Sequence, residues 1–75
     1  MGRFQGDYLK QLRNSKGYSQ EMVARLLALK TGRKVTRGAV CNWEKGRSVP
    51  TTGSLLGLSV IFHVPPESFF GPASN

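Results

Sequence analysis

Few residues of this 75-residue chain carry reactive chemistry. There is one histidine, His63, and one cysteine, Cys41. A tetrahedral zinc site takes four Cys, His or acidic ligands close together, so this pair cannot build one. A lone cysteine also excludes an intrachain disulfide. No acid–nucleophile constellation forms around His63, and no glycine-rich loop is laid out to cradle phosphates. The expectation is a protein that is not an enzyme and has no metal, no cofactor and no small-molecule ligand. What the chain has in quantity is positive charge. Eleven Lys and Arg face four acids, for a net +7 and a pI near 10.4. All eleven cations lie between Arg3 and Arg47, so residues 1–50 carry a net +8, whereas residues 51–75 carry only Glu67. A basic front and a near-neutral, apolar back separate a polyanion-facing surface from a packing surface.

Positioning those cations requires elements, and helical spacing dominates the chain. The first helix is expected from Phe4 to Lys16, with Leu9 and Leu12 inward and Gly17 ending it. Ser19 is placed to cap a second helix from Gln20 to Thr31, with Val23, Ala24 and Leu27 in the core and Gly32 at its end. Thr36 is the next cap. A third helix from Arg37 to Lys45 puts Val40 and Trp43 inward and Arg37, Gly38, Cys41 and Asn42 on the other side. Thr51 or Thr52 starts a fourth helix reaching Phe62, where Leu55, Leu58 and Phe62 recur. A short fifth helix after Pro65-Pro66 carries Phe69 and Phe70. One domain is expected, with its core over about 4–71 and a frayed tail at 72–75. His63 reads as a helix-end residue. The apolar run 55–64 is interrupted by Gly57 and Ser59 and falls far short of the about 20 residues that span a bilayer. The N-terminus has no signal-peptide layout. A cytoplasmic protein with a reduced thiol is the expectation.

The ordered set Leu12-Arg13, Gly17-Tyr18-Ser19-Gln20-Glu21, Ala39-Val40-Cys41-Asn42-Trp43-Glu44-Lys45-Gly46 and Val49-Pro50 resembles the lambda-repressor/Cro-like helix-turn-helix family. The stretch from Leu55 through Glu67-Ser68-Phe69-Phe70-Gly71 continues the match, so the resemblance covers roughly residues 5–71. It implies an all-α, five-helix domain with helices 2 and 3 as the helix-turn-helix. It also implies a sequence-specific regulator of transcription on double-stranded DNA, Cro-like and repressing from an operator in a bacterial or phage-infected cell. Helix 3 then lies in the major groove. There Arg37 suits a bidentate contact to guanine and Asn42 one to adenine; Arg37 equally suits a phosphate. Gly38 lets the backbone approach DNA. Cys41 is either a small filler at the DNA surface or an inert exposed thiol. Gln20 at a helix N-terminus, with Thr36, Arg47 and Ser48, is implied to meet phosphates, and Lys45 is either a further phosphate contact or a solvated charge. Arg13 and Glu44 are implied to form a partly buried ion pair from helix 1 to helix 3.

Two features depart from the family. After Leu27 the chain has about six additional residues, which lengthen helix 2 and the connection to helix 3. Its cations Lys30, Arg33 and Lys34 suit phosphate contacts that add affinity without sequence choice. Met22, Leu26 and Leu29 also form an apolar i, i+4, i+7 stripe on helix 2. The stripe either covers the longer connection, with Val35 beneath it, or is a partner surface. One domain reads little sequence alone, so a homodimer on a pseudo-palindromic operator is expected, with Val60, Pro65, Phe69 and Phe70 as its interface. The competing reading is an antitoxin- or controller-type protein-interaction module that keeps the fold and binds DNA only non-specifically.

Overall fold

Three hydroxyl side chains start three of the helices. Ser19 Oγ accepts from Met22 N at 3.0 Å, Thr36 Oγ1 from Ala39 N at 3.1 Å and Thr51 Oγ1 from Ser54 N at 3.3 Å. Each takes up one of the backbone donors that a helix start leaves unpaired. The computed structural model describes residues 2–71, with α1 over Gly6–Ser15, α2 over Gln20–Thr31, α3 over Arg37–Glu44 and α4 over Thr52–Phe62. The expected fifth helix is a single 3-10 turn, Pro66–Phe69. There is no strand among the described residues, only one antiparallel bridge between Phe4 and Phe70. No helix among them is long and apolar enough to cross a membrane. Residues 72–75, the expected frayed tail, lie outside the described residues.

Helix α1 starts two residues later than its sequence suggests, because another segment claims the backbone of residues 3–5. Gln5 N donates to Phe69 O at 2.7 Å and Gly71 N donates to Arg3 O at 3.2 Å. Phe70 is extended in this bridge, so the 3-10 turn ends before it. Helix α2 ends where Gly32 adopts φ 71°, a left-handed conformation open to glycine at little cost. The connection to α3 is then the short run 32–36.

The core is Leu9, Val23, Ala24, Leu27, Val40, Trp43, Leu58, Phe62 and Phe69, drawn from all four helices and the 3-10 turn. Phe69 is fully buried, stacked on Phe4 at 5.8 Å and edge-on to Tyr8 at 5.5 Å. It is a core residue and cannot line a dimer interface. Phe70 is half-buried with its ring edge on Phe4 at 6.1 Å. The Met22–Leu29 stripe does not cover the α2–α3 connection. Leu29 is 82% exposed and Met22 44%, while Val35 packs on the main core instead.

Two glycines let helices touch. A Cβ on Gly57 would stand 2.5 Å from Leu27 Cδ1, where α4 crosses α2. At Gly6 the obstacle is backbone: a Cβ would stand 2.3 Å from the Trp43 carbonyl oxygen and 2.6 Å from that of Glu44. The start of α1 thus abuts the end of α3, opposite poles of two helix dipoles. Gly6→Ala is expected to force the helices apart at a cost of about 1–3 kcal/mol, as overpacking does. Urea unfolding measures this, and an unchanged midpoint would contradict the close approach.

Candidate nucleic-acid interface

Helix α3 divides cleanly. Val40, Trp43 and Glu44 are buried, and Arg37 and Gly38 are exposed with Cys41 and Asn42 half-buried. Positions 37, 38, 41 and 42 share one face by helical spacing. A Cβ on Gly38 would meet nothing nearer than Thr36 Oγ1 at 3.8 Å. The fold itself therefore does not require glycine there. Thr36, spent as the cap of α3, is exposed at its start, and Lys45, Arg47 and Ser48 are exposed beyond its end. Lys30, Arg33 and Lys34 stand exposed at the end of α2 and in the connection.

Beneath this surface a single carboxylate joins three helices. Arg13 Nε on α1 donates to Glu44 Oε2 on α3 at 2.6 Å, and Arg13 Nη2 donates to Oε1 at 3.1 Å. Arg13 Nη1 donates to the Tyr18 carbonyl at 2.9 Å, and Gln20 Nε2 on α2 donates to Glu44 Oε1 at 3.0 Å. The Glu44 side chain is 3% exposed and that of Arg13 12%. No buried side-chain polar atom among the described residues lacks a partner.

The remaining charge is free. Among the described residues the ion pairs are Arg13–Glu44 and the exposed Arg25–Glu21. The other nine of the eleven cations have no acidic side chain within pairing distance. An uncompensated set of this kind raises the local concentration of a polyanion.

Sequence reasoning placed Arg37, Gly38, Cys41 and Asn42 on one face, and the structure brings Gln20 to the Arg13–Glu44 pair. It missed that last contact and the depression over it, which Asp7, Lys10 and Lys45 also line. One signal was present: Lys10 stands three residues before Arg13, hence on the same face of α1. Of the four residues assigned to a dimer interface, Val60 is 53% exposed and Pro65 is exposed. Leu56, four residues before Val60 and 50% exposed, extends that apolar face and was overlooked.

Two successive helices joined by a short connection, the second capped by a threonine and turning a polar face outward, define a helix-turn-helix domain. The helix-turn-helix family matches over residues 9–69. The chain belongs to that lambda-repressor/Cro-like family of DNA-binding transcription regulators. No curated protein matches the chain. Among solved structures it is similar to the P22 c2 repressor protein, determined in complex with synthetic operator 9T. That likeness has 19% identity over 91% of this chain and 94% of the other, at a TM-score of 0.78. It is also similar to the restriction-modification controller protein C.AhdI from Aeromonas hydrophila, 29% identical over 87% of this chain and 89% of that one, at a TM-score of 0.63.

Proposed function

We propose that this protein is a Cro-like repressor that binds a pseudo-palindromic operator in double-stranded DNA as a homodimer, in the cytoplasm of a bacterial or phage-infected cell. The observation that carries this reading is the outward face of α3. Arg37 and Asn42 supply the two side-chain types that read guanine and adenine bidentately. Between them stand Gly38, whose missing Cβ leaves room for close approach, and the small Cys41. Gln20, Thr36, Lys45, Arg47 and Ser48 surround that face as phosphate contacts. Lys30, Arg33 and Lys34 widen the basic surface, and each phosphate they neutralise steepens the salt dependence by about 0.9 in log–log slope. The exposed Leu56 and Val60, with Pro65, form the apolar face through which two copies pair. The P22 c2 repressor in complex with an operator and the controller protein support this reading by likeness of fold.

Selection of bound duplexes from a randomised pool at about 150 mM salt, where non-specific binding is weakened, tests it. A two-fold symmetric motif is expected. Asn42→Ala is expected to cost about 1–3 kcal/mol on the selected duplex and to relax preference at one base pair per half-site. Binding without any motif, vanishing as salt rises, would instead favour a protein-interaction module. The exposed Leu29 and Met22 on α2 are the observation that gives that second reading its surface.

A further inference from the structure

The Gln20–Glu44 hydrogen bond is a third one to this carboxylate, beyond the two of the ion pair. Arg13 already donates to both carboxylate oxygens, one bond to each, and the Glu44 side chain is buried. Gln20, by contrast, is half-buried at the first turn of α2, on the surface assigned to DNA. Left alone, such a side chain samples many rotamers, and ordering it on a ligand costs binding free energy. Glu44 removes that freedom in advance. A carboxylate only accepts, so the amide nitrogen of Gln20 must face it. That nitrogen carries two hydrogens. One is spent on Glu44 Oε1 at 3.0 Å, and the second stays available to a ligand oxygen. The depression around it is lined by Lys10 from α1 and Lys45 after α3, both exposed and without an acidic partner in pairing distance, and by Asp7, Arg13 and Glu44.

We propose that Glu44 is a positioning residue for DNA binding: through its bond to Gln20 it presents the Gln20 amide, between Lys10 and Lys45, to a backbone phosphate. The inference rests on the DNA-binding reading above. It ties the burial of one carboxylate to the strength of a surface contact. It also adds Lys10 to the residues that meet the phosphate.

The experiment is a mutant cycle on the selected duplex. Gln20→Ala in the natural chain is expected to weaken binding on the order of tenfold, the size of one hydrogen bond to a charged group. Arg13→Met with Glu44→Met replaces the pair by apolar side chains, a swap that often leaves stability equal or higher. This double variant is expected to melt no lower than the natural chain, yet to bind about tenfold more weakly. Gln20→Ala added to it should then change affinity by less than about twofold, because the two sites are coupled. A second measurement needs no variant: the heteronuclear NOE of the Gln20 side-chain amide in the free protein. It should be as rigid as the backbone, unlike the exposed Gln11. A Gln20→Ala penalty of equal size in both backgrounds would overturn the proposal and make Glu44 merely structural. So would a Gln20 amide as mobile as that of Gln11. A natural chain that selects no duplex would fail the DNA-binding reading by itself, while the amide measurement would still report whether Glu44 holds Gln20.

Discussion

Replacing Arg13 by alanine is expected to destabilise the domain by about 3–5 kcal/mol, because it leaves the Glu44 carboxylate buried without its counter-ion. The burial decides the magnitude. An exposed pair such as Arg25–Glu21, at 3.4 Å with both side chains more than half exposed, is worth less than about 1 kcal/mol. Glu44 has 3% of its side chain in water and would keep only the Gln20 amide as a donor. The Tyr18 carbonyl would also lose its bond from Arg13 Nη1. A small domain has little stability to spare, and each 1 kcal/mol moves the melting temperature of a chain this size by about 4–8 °C. A fall on the order of 15 °C or more in thermal unfolding is the expected result. Glu44→Ala should cost less, because the Arg13 guanidinium left behind is 12% exposed and lies nearer water. Equal stability of Arg13→Ala and the natural chain would mean that the carboxylate reaches solvent.

Phe69→Ala is expected to cost a comparable about 3–5 kcal/mol, the range for truncating a buried aromatic ring. The ring is fully buried and fills the space between Phe4 and Tyr8. Its loss would leave a cavity and strip the stacking partner from Phe4, which holds residues 3–5 in place. The loss should be the same at any protein concentration, because the ring lies inside one copy. Denaturant unfolding at two concentrations checks this. A midpoint that moves with concentration only in the natural chain would return Phe69 to an interface. Phe70→Ala, at a half-buried ring, should cost clearly less.

The contrast between these residues shows what could be read along the chain. Helices α2 and α4 were legible almost to the residue, because their limits are set by neighbours in sequence: Ser19 and Thr51 cap within three residues, and Gly32 ends α2 on its own φ. The outward face of α3 followed from helical spacing alone. Phe4, Gln5 and Phe69 were misread because their conformation is set by partners about 65 positions away. Apolar side chains near a proline pair signal burial or an interface equally well. Leu29 failed for a related reason. Spacing says that it shares a face with Met22 and Leu26, but not whether any element reaches that face. The Gln20–Glu44 contact, 24 positions apart, has no local signature. The outward residues of α3 could thus be named from sequence, while the Gln20–Glu44 bond is visible only in the folded chain.

The pairing of residues 3–5 with 69–71 also bears on synthesis. A ribosome delivers the chain in order, and α2 and α3 emerge before residues 69–71. Until Phe69 has left the exit tunnel, Phe4 and Tyr8 have no ring to pack on, and the backbone of Gln5 lacks its acceptor. Closing a loop of that length comes late, because its entropic cost precedes any return. Folding of this domain during synthesis is therefore expected to wait on residues 69–71, so that a product truncated before them presents helices without a finished domain.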